Sequence, residues 1–180
     1  PVERIGGVCW VFDVAHNPAG VQALVAALAE LHLPRPIVPV LGILGDKDWK
    51  SMLPPLLCCA DAAILTVPPT APVQRLWDPQ AALAAVPDQR ATVVADFYDA
   101  LRLAWTLAGG VGHLPLRALR EEEEWAPEPP GADADTRMAS DAPGGTVLVT
   151  GSFHTVGDAL AALGRPPSVS APLPGAALAL

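Results

Sequence analysis

The sequence predicts an α/β fold with a mostly parallel sheet and helices on both faces. Short apolar runs alternate five times with helical stretches, a pattern typical of βαβ units. Runs such as 146–150 (TVLVT) are continuous rather than alternating, which indicates strands buried on both faces. The 180 residues suit one domain, and 51% of them are hydrophobic, which is enough for a sizeable core. We therefore expect a Rossmann-like architecture.

The elements follow in alternating order. The predicted strands are residues 8–13, 37–44, 62–67, 92–95 and 146–150. The predicted helices are 21–31, a segment from the 45–48 turn to about 60, 80–86, 96 to about 108, and a last helix after 151–155. Asn17 before Pro18, and Asp78 before Pro79, are the cap-then-proline starts that helices favour. We expect Asp96 to cap the fourth helix, Thr155 to cap the last one, and Pro39 to mark a strand end or irregularity.

Two segments have compositions typical of irregular chain. Residues 109–145 are acidic and rich in proline and glycine, which predicts a disordered surface insertion. Residues 165–180 are predicted to form a loose tail after a domain spanning 1–164.

Composition also excludes several classes of function. The net charge of −8 argues against a nucleic-acid partner, and no apolar run is long enough to span a membrane. The three cysteines, Cys9, Cys58 and Cys59, form no CxxC pair, which favours a reducing, cytoplasmic location. The four histidines show no metal-binding spacing, and neither GxxxxGK[ST] nor GxGxxG is present.

Three polar turns follow predicted strands and are the candidate sites. They are residues 13–18 (DVAHNP), 45–48 (GDKD) and 150–154 (TGSFH). Ligands of open parallel sheets bind at the carboxyl ends of the strands, where helix N-termini favour anions. Each turn also has a purely structural interpretation. Asp13 can satisfy backbone N–H groups, Asn17 can act only as a helix cap, and Ser152 can fill a tight turn. Lys47 can be solvated, and His16 can be an ordinary surface histidine.

Taken together and in order, DVAHNPAG, LGILGDKDWKSML, ADAAILT and VLVTGSFHTVGDAL resemble one family. They are similar to the C-terminal domain of folylpolyglutamate synthase/dihydrofolate synthase, within the Mur ligase superfamily. The resemblance runs from about residue 2 to 163. DxAHNP is shared with the cell-wall Mur ligases, whereas the DKD and VTGS turns together favour the folate branch.

The resemblance implies an ATP-dependent ligase that joins glutamate to a folate or dihydropteroate carboxylate through an acyl phosphate. ATP and Mg²⁺ would be the cofactors, with the P-loop and the magnesium ligands on a separate N-terminal domain. By resemblance, Asp13, His16, Asn17 and Lys47 would contact the nucleotide, and His16 and Ser152 would place the glutamate. The resemblance implies no catalytic side chain and no metal ligand in this chain. Two alternatives remain, a cell-wall amino-acid ligase domain and a non-catalytic Rossmann-like binding module.

Overall fold

A six-stranded, mostly parallel sheet forms the centre of the molecule in a computed structural model that describes residues 2–117 and 144–165. The strands are β1 Val2–Ile5, β2 Val8–Phe12, β3 Ile37–Leu41, β4 Ala63–Leu65, β5 Ala91–Val93 and β6 Thr146–Thr150. Their order across the sheet is β1-β2-β6-β3-β4-β5. Only β1 runs antiparallel to its neighbour. The predicted fold class is confirmed.

Helices cover both faces of this sheet. They are α1 Pro18–Glu30, α2 Trp49–Cys58, α3 Pro79–Ala85, α4 Phe97–Leu107 and α5 Phe153–Ala162, with a short 3₁₀ turn at Val73–Arg75. Helices α1, α2 and α3 bury their apolar side chains on one face, and α4 and α5 bury theirs on the other. The strands between these layers, β2, β3, β4 and β6, are fully buried. Their continuous apolar sequences follow from this double burial.

The first strand, β1, was not predicted from the sequence. It forms a hairpin with β2 through Gly6 and Gly7, whose φ angles of 55° and 80° are both positive. A two-residue turn of this kind strongly favours Gly-Gly. The strand is half exposed and polar at Glu3 and Arg4, so it lacks the apolar run that identified the others. The glycine pair was the available signal.

Pro39 lies inside β3, so the first of the two sequence expectations for this residue, a strand end, is wrong. Strand β3 stops at Leu41, and residues 42–44 begin the following turn. The Thr66 N–H donates to the Leu41 carbonyl at 3.0 Å, so odd-numbered residues of β3 direct their backbone groups toward β4. Strand β4 pairs only with Val40 and Leu41. A backbone N–H at position 39 would therefore point to the chain just before the paired residues of β4, so proline costs the sheet little hydrogen bonding there.

The caps of α1, α3 and α4 are the predicted residues, Asn17, Asp78 and Asp96. The prediction that Thr155 caps the last helix is wrong. Helix α5 begins earlier, and Ser152 is its N-cap, accepting from the Thr155 N–H at 3.1 Å. Sequence spacing alone could not separate two hydroxyl residues that lie three positions apart.

The flanks of the predicted insertion pack onto the domain. Leu114 is buried in the core beside α4 and α5, and the Arg117 N–H donates to the Ala162 carbonyl at 2.7 Å. On the other side, the Gly145 N–H donates to the Ala108 carbonyl at 2.6 Å. Residues 118–143 and 166–180, on which most of the insertion and tail predictions fall, lie outside the described residues. Within the described ranges, no helix is long and apolar enough to cross a membrane.

Candidate functional site

The first turn leaves β2 at Asp13 and enters α1. The Asp13 carboxylate accepts from the Ala15 N–H at 2.8 Å, and the Asn17 side chain caps α1 by accepting from the Gly20 N–H at 2.8 Å. His16 Nδ1 lies 2.9 Å from the Val14 carbonyl oxygen. Because a carbonyl can only accept, Nδ1 carries the hydrogen and donates it. In the neutral ring, the other nitrogen, Nε2, is then left as an acceptor on a half-buried side chain.

The second turn, 45–48, is fixed to the loop that follows β4. The Gly45 N–H donates to the Arg75 carbonyl at 2.7 Å. A Cβ at position 45 would lie only 2.5 Å from the Leu76 carbonyl oxygen, so glycine allows this close approach. The Arg75 side chain makes two hydrogen bonds to the Asp46 carboxylate, from Nε at 3.0 Å and from Nη2 at 2.9 Å. This guanidinium lowers the pKa of Asp46 below its usual value, and the same pairing raises the pKa of Arg75.

The third turn links β6 to α5 and is held by hydroxyl groups. The Thr155 hydroxyl donates to the Gly42 carbonyl at 2.6 Å, which ties the start of α5 to the end of β3. With its hydrogen used there, Thr155 Oγ1 accepts from the Ser152 hydroxyl at 2.8 Å. Ser152 also accepts from the Thr155 N–H and is only 2% exposed. The Ser152 hydroxyl is therefore already engaged within the fold.

The three turns meet in one cleft of about 200 Å³ at the carboxyl edge of the sheet. It is lined by His16 from the first turn, Lys47 from the second, Leu44 just before the second, Ser152, Phe153 and His154 from the third, and Arg75. The rings of His16 and Phe153 lie 5.4 Å apart, although Phe153 is 64% exposed. His154 Nδ1 lies 3.0 Å from the Thr70 hydroxyl. The cleft thus combines an aromatic wall with two cationic side chains.

Only some of the residues predicted to bind ligands lie in this cleft. His16, Lys47 and Ser152 line it. Asp13 and Asn17 line a neighbouring depression of about 400 Å³ along α1, which shares His16 with the cleft. A larger hollow of about 520 Å³ beside α3 includes no residue of the three turns. The ligand contacts of all five residues stay predictions, and the engaged hydroxyl of Ser152 favours its structural role.

Sequence reasoning missed Arg75, Phe153 and His154. Arg75 lies between β4 and α3, in a stretch that carries no motif, although this stretch leaves the same edge of the sheet as the three turns. The loops that follow parallel strands all lie at the same edge of the sheet. This rule could have identified Arg75 as a candidate site residue. Phe153 and His154 belong to the third turn but carry no motif of their own.

The chemistry that this cleft supports is the positioning of anions. Lys47 and Arg75 supply positive charge, and three helices begin at the surrounding turns, where free N–H groups favour negative charge. No serine or cysteine in the cleft is paired with a base as a nucleophile. Among the described residues, no cluster of histidine, cysteine and carboxylate side chains could hold a metal ion.

Comparison with known proteins finds folylpolyglutamate synthases among the similar proteins. The chain is 33% identical to the dihydrofolate synthase/folylpolyglutamate synthase of Mycobacterium tuberculosis over 175 residues. This alignment covers 92% of this chain and 30% of the relative. The solved folylpolyglutamate synthase of Mycobacterium tuberculosis complexed with ADP matches at a TM-score of 0.62 and 29% identity, over 88% of this chain and 30% of that one. A bifunctional folylpolyglutamate synthase/dihydrofolate synthase from Yersinia pestis, complexed with AMPPNP and Mn ion, matches at a TM-score of 0.59 and 25% identity, over 89% and 30%.

The chain spans less than a third of the length of the curated relatives that it matches. The model of one protein family, described as Mur ligase, glutamate ligase domain, matches residues 1–113. That match covers more than half of the chain and includes two of the three turns. With the relatives above, it confirms the resemblance seen in the sequence: the chain belongs to the Mur ligase glutamate ligase domain family and is similar to the folylpolyglutamate synthase/dihydrofolate synthase branch.

Proposed function

We propose that this chain is the C-terminal domain of an ATP-dependent ligase that adds glutamate to the carboxylate of a folate or dihydropteroate. One observation carries the proposal. The cleft joins the DVAHNP, GDKD and TGSFH turns and presents Lys47 and Arg75 beside His16. The similar folylpolyglutamate synthases that were solved in complex with ADP or AMPPNP support the use of a nucleotide.

The reaction would proceed in two steps that conserve all atoms. A carboxylate oxygen of the acceptor attacks the γ-phosphorus of ATP, and ADP leaves. The amino group of glutamate then attacks the acyl carbon of the phosphate anhydride, phosphate leaves, and the amine loses a proton as the amide forms. Neither step requires a nucleophile from the protein, so positioning and charge stabilisation are the contributions asked of this domain.

The residues of the cleft fit those contributions. Lys47 supplies positive charge for a phosphate or a carboxylate, and Arg75 beside it is paired with Asp46. His16 has one ring nitrogen free of the Val14 carbonyl. Asp13 and Asn17 line the adjoining depression along α1, where the nucleotide contacts assigned to them would lie. The Ser152 hydroxyl is already bonded to Thr155. Ser152 would therefore help to place glutamate mainly by fixing where α5 begins, rather than by a direct contact.

A second domain would complete the enzyme. The sequence has no GxxxxGK[ST] motif, so we place the P-loop and the magnesium ligands on an N-terminal P-loop domain that packs against this cleft. When bound there, Mg²⁺ would neutralise charge on the nucleotide phosphates. Closure of the two domains would exclude water, which otherwise hydrolyses an acyl phosphate. The free cysteines Cys9, Cys58 and Cys59 support a cytoplasmic location.

The proposal is tested by assaying the longer protein, with its P-loop domain, for glutamate-dependent release of ADP. Dihydropteroate and a reduced folate serve as acceptors, and a UDP-linked muramoyl peptide serves as the control acceptor of the cell-wall alternative. We expect amide products, identified by mass spectrometry, only with the pterin acceptors. Turnover only with the muramoyl acceptor, or with none of the three, would refute the folate assignment.

A further inference from the structure

Two cationic side chains that line the cleft, those of Lys47 and Arg75, share the carboxylate of Asp46. Asp46 accepts two hydrogen bonds from Arg75, at 3.0 and 2.9 Å. Lys47 Nζ lies 3.7 Å from Asp46 Oδ2, beyond hydrogen-bond distance. Asp46 therefore pairs closely with Arg75 and only loosely with the lysine next to it in sequence.

This arrangement fixes the charge that the cleft offers to a ligand. Two cations and one carboxylate leave a net charge of about +1. Without Arg75, Lys47 would be the only cation near Asp46 among the described residues, and the pair would be neutral. A close pair between these neighbours would also hold the lysine ammonium against its own turn. Both effects would weaken the attraction of the cleft for an anion.

We propose that Arg75 is a positioning residue, which engages Asp46 at two points and so leaves the Lys47 ammonium available to an oxyanion of a substrate. The inference rests on the proposed function for the identity of that oxyanion. The chemistry fits a carboxylate of glutamate or a phosphate of the nucleotide, and the experiment below separates the two.

The Asp46–Arg75 pair is poorly suited to a purely structural role. The two side chains are 47% and 39% exposed, and exposed ion pairs contribute little to stability. The backbone bond from Gly45 to the Arg75 carbonyl already joins the two loops, and it does not depend on the side chain at position 75. The main effect of the guanidinium is therefore to hold the Asp46 carboxylate in place through two hydrogen bonds.

The test compares Arg75→Ala, Asp46→Asn and the double variant by steady-state kinetics in the longer protein. Arg102→Ala is the matched control, because Arg102 forms an exposed pair with Asp99 on α4, away from the cleft. The variants change the summed charge of Lys47, Asp46 and residue 75. This sum is about 0 in Arg75→Ala and about +1 in the double variant. We expect Arg75→Ala to raise one KM by roughly three- to tenfold, the effect of one unit charge about 6 Å away in a solvent-exposed cleft.

The double variant is decisive. Removing the carboxylate together with the guanidinium should return that KM to within about twofold of wild type, while kcat changes little. A merely structural role predicts no such rescue. If the KM of glutamate responds, Lys47 binds a carboxylate, and if the KM of ATP responds, it binds a phosphate. An unchanged KM in Arg75→Ala, or failure of Asp46→Asn to rescue it, would overturn the proposal.

A crystal structure of Arg75→Ala supplies a readout that does not depend on activity. We expect Lys47 Nζ to approach Asp46 to about 2.8 Å, the distance of a charge-assisted hydrogen bond. A separation that stays near the present 3.7 Å would overturn the positioning role. If the wild-type protein proves inactive, the proposed function fails, and this distance still decides the inference.

Discussion

Replacing Ser152 with alanine separates the structural role of this hydroxyl from a direct contact with substrate. Ser152 is 2% exposed, caps α5 by accepting from the Thr155 N–H, and donates to the Thr155 hydroxyl at 2.8 Å. Alanine removes the cap and leaves a buried N–H without its partner. Loss of a cap costs about 1 kcal/mol, and an unsatisfied buried donor costs about 1–3 kcal/mol. Because both terms describe the same N–H, we expect a total of about 1–2 kcal/mol.

Thermal and urea denaturation measure this loss. For a domain of this size, about 1–2 kcal/mol corresponds to a fall in Tm of roughly 3–8 °C. Asn17→Ala is the matched control, since Asn17 caps α1 at the same edge of the sheet but is exposed. It should cost about 1 kcal/mol or less. A Ser152→Ala protein as stable as wild type would show that this hydroxyl is dispensable to the fold, contrary to its role as the cap of α5.

Three further predictions address charge, core and domain organisation. The paired Arg90 lowers the pKa of Asp88 to about 2. The stability from this pair should therefore be complete above about pH 3.8 and be lost as the pH falls through about 2, and NMR titration of Asp88 in wild type and Arg90→Gln checks the shift. Leu148→Ala empties a fully buried position in the central strand β6 and should cost about 2–5 kcal/mol in urea denaturation. The 180-residue chain alone should show no ATP-dependent ligation of glutamate, because it carries no P-loop motif. Product detected by mass spectrometry would contradict this.

The sequence was informative about the fold because its signals are local. Continuous apolar runs identified β2, β3, β4 and β6, since strands buried on both faces need no polar side chains. Asn17, Asp78 and Asp96 identified helix starts for a similar reason, because a cap acts within three residues of itself. Strand β1 escaped because an exposed edge strand has neither signal, and the Gly6-Gly7 turn was overlooked.

The candidate site was only partly predictable because it is assembled from distant parts of the chain. The three turns could be placed at one edge of the sheet because each follows a strand of the predicted parallel sheet, and because the family resemblance groups them. Asp46 and Arg75 lie 29 positions apart, so no local sequence pattern predicts that they pair. Likewise, the engagement of Ser152 with Thr155 and Gly42 depends on how α5 packs over the end of β3. Spacing could suggest a polar turn there but not that its hydroxyl was already satisfied.

The most direct test of the account is the kcat/KM of Asp13→Ala and His16→Ala in the longer protein, measured beside Asn17→Ala. Asp13 and His16 line the cleft or its adjoining depression, and their hydrogen bonds lie within the turn itself. If this edge of the sheet positions ATP and glutamate, both variants should lose a factor on the order of 10²–10³ in kcat/KM, with stability changed by less than about 1 kcal/mol. Asn17→Ala should lose about 1 kcal/mol of stability in addition to any loss of activity, because it also removes a helix cap. Near wild-type turnover in Asp13→Ala and His16→Ala would reduce the turn to a structural connection and contradict the assignment of the site.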